Sequence, residues 1–282
     1  GMGDFRVSYE ELYEKFGIKV AQMNPGIMRK IYNSITDEEY NGEIEANKRF
    51  FSFGDNIIPE EYELSVRSCL ALRKYCAEER LNAFSVNFTQ MGFDNCGLTS
   101  MPFIECCKAM SHGIGYAGEG DALTAAFTGA FLAAYPDSSF VEIFCPDWKN
   151  GTLLLSHMGE VNYNISDGRP VIMRAGTNYS PAAFPYAGYT RMKAAEGVYA
   201  NVSRAKDGYK LVISKASLKG FDKDSFEGSI RGWLQPEGKS TAEFLENLSL
   251  NGATHHSVFV TRAKTRELKF FGKLCGIETV EI

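Results

Sequence analysis

The chain has 282 residues, 44 % of them hydrophobic, with a formal net charge of −5 and a pI of about 5.6. That length predicts one large or two medium domains around a substantial core. No basic run or stripe suits a nucleic acid or a polybasic membrane contact, and no apolar run reaches the roughly 18 residues that span a bilayer. The seven cysteines (Cys69, Cys76, Cys96, Cys106, Cys107, Cys145 and Cys275) are odd in number and contain no CxxC pair. This argues against a disulfide framework or a zinc ribbon. Buried, reduced thiols in a cytoplasmic protein are expected, and no signal peptide is visible.

In chain order, Ser8 to Glu11 reads as a capping box that opens a short helix, which Gly17 can close. GIKVAQM then reads as a strand, and Pro25 starts a second helix. Residues 36–49 are polar and predict a solvated helical face or a loop. Pro59 opens a long helix with Leu64, Cys69, Leu72 and Cys76 roughly along one face. NAFSVNF predicts a strand, Pro102 begins a helix that Gly113 ends, and an Ala-, Phe- and Leu-rich helix runs from Asp121 to Tyr135. Over residues 1–138 this alternation predicts a Rossmann-like α/β domain with a mainly parallel sheet.

After the break at PDSS the pattern changes. FVEIFCPDW, TLLLSHMGEV, RPVIMRAG, GVYANVSRA, YKLVISKAS and FEGSIRGWL are closely spaced strand-like runs. Asp207-Gly208 sits where a hairpin would turn. Ser240 to Glu243 is a second capping box, HHSVFV a strand, RELKFFGKLCG a helix and IETVEI a final strand. Residues 139–282 therefore predict a mostly antiparallel β-barrel-like or sandwich domain with a few helices, and the chain as a whole an α/β fold.

Polar groups in apolar strands carry the chemical signal. Glu142 lies in FVEIF, His157 follows three leucines and a serine, and Glu119 stands in GEGD at the head of the apolar helix. Burying a polar group without a partner costs about 2–7 kcal/mol, so these positions call for partners. Each has an ordinary reading: Glu119 as a helix-capping carboxylate, Glu142 as an outward-facing strand residue, His157 as a hydrogen-bonded core histidine. Together, two carboxylates and an imidazole suit a divalent cation, with Mn²⁺ or Mg²⁺ favoured by the oxygen-rich set. His255-His256 adds a further candidate. Adjacent strand residues point to opposite faces, so one of the pair can reach a site while the other packs. His112, at a predicted helix end, reads as a surface residue.

Gly113-Ile-Gly115-Tyr-Ala-Gly118 matches G-x-G-x-x-G, but the segment before it is a helix rather than the strand a dinucleotide fingerprint needs. Nucleotide binding is not expected. No G-x-S-x-G, P-loop or H-E-x-x-H motif is present.

GEGD with its Ala-rich helix (118–134), FVEIF followed by LSHMGEVN (140–162), GATHHSVF (252–259), MGDFRVSYEELYEKFGI at the start and GIETVEI at the close together resemble the L-arabinose/L-fucose isomerase family, the arabinose branch most closely. The resemblance implies the family's middle and C-terminal regions, with its N-terminal domain absent. GMGDF is then either a tag scar with an initiator Met or internal sequence. It further implies a divalent ion, usually Mn²⁺ with Mg²⁺ or Co²⁺ as alternatives, held by Glu119, Glu142, His157 and His256, with His255 as fallback. Glu119 and Glu142 would also be the acid–base pair that converts an aldose to a ketose through a cis-enediol. A small sugar substrate and a homo-oligomer, trimer or hexamer, are implied partners. NYSPAAFPYAGYTRMKAAEG departs from arabinose isomerases and leaves the substrate open between another pentose, a deoxyhexose and something unassigned. The alternative function is a non-catalytic carbohydrate-binding or assembly module on the same fold.

Overall fold

The computed structural model describes residues 2–176, 178, 182–221 and 226–282. The first half holds helices α1 (Tyr9–Phe16), α2 (Pro25–Asn33), α3 (Asp37–Phe50), α4 (Pro59–Glu78), α5 (Phe93–Cys96), α6 (Phe103–Ser111) and α7 (Ala122–Ala134). Strands β1 (Ser52–Phe53), β2 (Ala83–Val86) and β3 (Gly115–Gly118) lie among them. The second half holds β4 (Ser139–Asp147), β5 (Thr152–Ser156), β6 (Val171–Arg174), β7 (Tyr186–Tyr189), β8 (Ala195–Ala205), β9 (Gly208–Lys219), β10 (Gly232–Pro236) and β11 (His256–Thr261), then β12 (Glu278–Glu281) at the end. Helices α8 (Thr241–Leu250) and α9 (Thr265–Leu274) flank β11.

Most helix boundaries follow local chemistry. The Ser8 hydroxyl caps α1 and Gly17 ends it with a left-handed φ of 70°. Pro25 and Pro59 occupy first-turn positions where a missing N–H costs nothing. The polar stretch 36–49 is helix α3, opened by a Thr36–Glu39 capping box, and α8 opens on the reciprocal Ser240–Glu243 box.

The second half closes into a barrel. Six strands pair antiparallel in the ring β10-β5-β4-β11-β8-β9 and back to β10, and β12 adds in parallel to β9. A closed ring leaves no edge of its own unpaired. The β8–β9 hairpin turns through Lys206 and Asp207, because Ala205 already pairs with Gly208. The turn thus falls one residue before the expected dipeptide.

Three sequence expectations need correction. Residues 17–24 form no strand: Ile18 and Val20 alternate and pack against the apolar cluster of the barrel, but no neighbouring strand offers them a ladder. RPVIMRAG does contain a strand, β6, but β6 leaves the barrel to pair with β1 in parallel and β7 antiparallel. Alternation specifies a strand, not its partner. The glycine-rich run 115–118 is itself strand β3, paired in parallel with β2. A Cβ at Gly115 would lie 2.2 Å from the Ala125 carbonyl oxygen and 2.4 Å from the Gly129 nitrogen, so glycine here lets the strand lie against α7. The glycines at 115 and 118 serve close packing.

Helix α7 ties the halves together. On one side it packs under β2 and β3. On another, Leu123, Phe127 and Phe131 join Val198, Leu211, Ile213, Val258 and Val260 of the barrel in one cluster. A helix apolar all round is a buried one, which accounts for its sequence. Its N-terminus, with the loop before it, therefore meets the end of the barrel.

A charged knot holds α3, α4 and α6. Arg73 pairs with Glu43 (2.7 Å) and Glu105 (2.6 Å), and Lys108 pairs with Glu43 (2.5 Å). Burial works against the Glu43 carboxylate, but Arg73 and Lys108 outweigh it and hold its pKa down to about 2. Glu105, more deeply buried and touching one cation, is pushed up instead. A depressed carboxylate stabilises the fold above its unfolded pKa and loses that contribution as pH falls through the folded value. Glu43→Gln should therefore destabilise the protein by about 2 kcal/mol at neutral pH, after discounting for the partial exposure of Arg73. The deficit should shrink towards zero as pH falls from about 4.5 to about 2. Chemical denaturation of both proteins across that range measures it, and a pH-independent deficit would contradict the assignment.

Candidate functional site

The four residues singled out in the sequence come together at one end of the barrel. His256 begins β11 and pairs in register with Glu142 of β4, which pairs in turn with Ser156 of β5. His157 follows Ser156 directly. A bulge in β4 immediately after Glu142, between Ile143 and Cys145, frees Phe144 to solvent and re-aims the strand. Glu119 reaches the site from the loop between β3 and α7.

Two groups of ligand-type atoms result. Those of Glu142, His157 and His256 lie within 4.8 Å of one another, as do those of Glu119, His255 and His256. His256 belongs to both. Its Nε2 is 3.8 Å from Glu119 Oε2, and His157 Nε2 is 3.7 Å from Glu142 Oε2. Both separations exceed hydrogen-bond length but suit atoms that face a common ion.

Behind each ring stands a carboxylate that was not singled out in the sequence. Asp121 Oδ2 lies 3.0 Å from His256 Nδ1, and Glu160 Oε2 lies 2.7 Å from His157 Nδ1. Glu160 is fully enclosed, accepting from the Tyr116 hydroxyl (2.6 Å) and the Gly159 N–H (2.8 Å). A carboxylate on the far nitrogen fixes the tautomer and aims the near nitrogen, the usual support of a metal-binding histidine. Both acids sit inside blocks already noted, GEGD and SHMGE, and the three-residue spacing from His157 to Glu160 was the available signal. Glu119 does not cap α7. That role falls to Asp121, whose Oδ1 accepts from the Thr124 N–H at 2.9 Å. Glu119 is instead held at φ 61°, a left-handed conformation that an ordinary side chain adopts at a cost of about 1–3 kcal/mol and that clusters at functional sites.

His256 is completely buried, and its Nε2 has no hydrogen-bond partner among the described residues. A buried nitrogen lone pair ringed by Glu119, Glu142 and His157 fits a divalent cation. His255 is placed differently. Its Nε2 is 3.2 Å from Glu119 Oε2 and its Nδ1 2.6 Å from Asp4 Oδ2. The Glu119 contact first, then Asp4, raises its pKa to about 9. The hydrogen bond from His255 holds the Glu119 carboxyl below its usual range, while burial pushes Glu142 up. Burial disfavours the charged His157 ring, but Glu160 more than compensates and raises it.

A cavity of about 230 Å³ opens beside the cluster, lined by Glu119, His157 and Glu160 at one end and by Phe88, Phe103 and Phe144 among its apolar walls. All seven cysteines are free, five of them buried, whereas Cys145 is exposed and Cys275 partly so. His112 is exposed at the end of α6, as expected.

Gly118 makes room for His157. A Cβ there would lie 2.7 Å from the ring carbon Cε1. Gly118→Ala should push the ring off its Glu160-set line and weaken Mn²⁺ binding by about tenfold or more, the size expected when a ligand's support is lost. Calorimetric titration of Mn²⁺ into EDTA-stripped protein measures this, and unchanged affinity would show that His157 is not a ligand.

The sequence matches two family profiles, the L-arabinose isomerase central domain over residues 9–134 and the L-arabinose isomerase C-terminal domain over residues 137–278. It is 25 % identical to L-arabinose isomerase 2 of Bacillus licheniformis over 95 % of this chain and 58 % of that protein. The L-arabinose isomerases of Shouchella clausii and Erwinia tasmaniensis are each 26 % identical, over 95 % of this chain and 55 % of theirs. The chain thus spans a little over half the length of these relatives. With both profiles matched in order and the conspicuous Glu and His residues gathered at one end of the barrel, the chain belongs to the L-arabinose isomerase family.

Proposed function

We propose that this chain forms the metal-binding and acid–base part of an aldose–ketose isomerase. One observation carries the reading: a fully buried imidazole, backed by Asp121, whose other nitrogen has no hydrogen-bond partner among the described residues and faces two carboxylates and a second backed imidazole. Glu119, Glu142, His157 and His256 would hold the ion, with Mn²⁺ favoured and Mg²⁺ or Co²⁺ as alternatives. When bound, a divalent ion supplies Lewis-acid polarisation of the sugar's O1–O2 side.

The protein's own contribution is proton handling. One of Glu119 and Glu142 takes the proton from C2 while O1 gains a proton, which leaves a cis-enediol. Loss of the O2 proton and return of a proton to C1 complete the ketose. The apolar walls of the cavity limit water near the reacting carbons. The reading brings with it a small sugar as partner, a cytoplasmic setting and assembly into a homo-oligomer. Because the chain spans little more than half of its relatives, turnover by this chain alone is the point at issue. A binding-only module is the outcome if none is seen.

Ketose formation from a panel of pentoses and deoxyhexoses with Mn²⁺ added tests the proposal. Glu119→Gln and Glu142→Gln should each lower kcat by about 10²–10⁴-fold, as loss of a general acid or base does. Either variant turning over at the wild-type rate would refute that residue's role. EDTA should lower the unfolding midpoint and Mn²⁺ restore it, because an ion bound only by the native state stabilises it by mass action. An unmoved midpoint would count against any structural ion here.

A further inference from the structure

Glu119 is weakly secured for a residue given so central a part. Its backbone is in the left-handed region, in a three-residue loop with Gly120 and the helix-capping Asp121, outside both β3 and α7. Among the described residues its carboxylate makes one hydrogen bond, to His255 Nε2 at 3.2 Å. The orientation of Glu119 therefore depends on the orientation of His255. That ring is fixed from the far side by Asp4, whose Oδ2 accepts both the His255 backbone N–H (3.2 Å) and Nδ1–H (2.6 Å). Two bonds from one residue to one oxygen leave the ring little freedom about χ1. The next residue, Phe5, is buried and lies flat on His256, with centroids 4.8 Å apart and planes 13° apart. One dipeptide near the start of the chain thus braces both members of the histidine pair, some 250 residues on.

We infer that Asp4 is a positioning residue: by gripping His255 it keeps the Glu119 carboxylate turned towards His256. His255 is then the strut of the site rather than an ion ligand, and the adjacent histidines divide the work. His256, backed by Asp121, offers its free nitrogen to the cluster, and His255 transmits the hold of Asp4. The inference rests on the proposed ion site only for its effect on Mn²⁺ affinity. Its geometric content stands on the Asp4–His255–Glu119 chain alone.

Asp4 is half-exposed, so Asp4→Ala should fold with an unfolding midpoint close to wild type. A crystal structure of Asp4→Ala should show His255 rotated and Glu119 Oε2 withdrawn from His256. Mn²⁺ affinity should fall about tenfold, and Asp4→Asn, which keeps one acceptor, should recover most of it. The deciding arm is a double-mutant cycle. If Asp4 acts through His255, then Asp4→Ala should add no further loss in a His255→Gln background. Additive losses, or a Glu119 that keeps its place in Asp4→Ala, would overturn the inference. If wild type binds Mn²⁺ but forms no ketose from any aldose, the isomerase reading fails while the cycle still decides this one. If Mn²⁺ does not bind at all, the position of Glu119 in the variant crystal decides it.

Discussion

The site depends on one ladder register, His256 opposite Glu142 and Glu142 opposite Ser156, across three adjacent strands of a closed barrel. Side chains alternate faces along a strand, so a slip of one residue at either pairing would send Glu142 or His256 to the other face of the sheet. Closure protects the register: in a ring of six strands, moving one pairing means moving the others. The local bulge after Glu142 absorbs an extra residue without disturbing the pairing before it. The polar cluster can therefore be buried at the barrel end without wandering.

The site also reuses structural parts. Asp121 caps α7 with one oxygen and orients His256 with the other, so the residue that starts the helix also aims the imidazole. Glu160 ties His157 to the Tyr116 hydroxyl of β3, linking the barrel to the strand just ahead of Glu119. Gly118, at the end of that strand, is small because the His157 ring occupies the space beside it. Glu119 and Asp121 come from the first half and Glu142, His157, Glu160 and His256 from the second, so the full cluster draws on both.

Much of this was legible in the sequence. Glu142 and His157 stood out because strongly apolar strands rarely carry such groups, and Glu119 because it heads an apolar helix. The Ser240–Glu243 capping box, the Ser8 cap and the first-turn prolines were readable because each is set within a few residues, whereas the Glu11 half of the Ser8–Glu11 box does not form and the hairpin turns one residue early. What depended on distant partners was not. Nothing in RPVIMRAG says that it pairs with a two-residue strand more than 100 positions earlier rather than with the barrel. Residues 17–24 alternate as a strand would and lack only a neighbour. Strand β3 was hidden by its glycines, which weaken strand propensity yet here allow close contact with α7. Asp4 lay out of reach because its meaning comes from a histidine at the other end of the chain. For His255 and His256, adjacency predicted that they would differ, while the assignment of roles needed the carboxylates behind them.

Helix α7 has a bearing on motion. It is wedged between the β2–β3 pair and the barrel, apolar towards both. Hinge opening of one half against the other would strip that helix from one of its neighbours and wet large aromatic side chains such as Phe127 and Phe131. At about 25 cal/mol per Å² of apolar surface, such an excursion is expensive. The two halves are therefore expected to move as a single rigid body, with the cavity keeping its shape as solutes come and go.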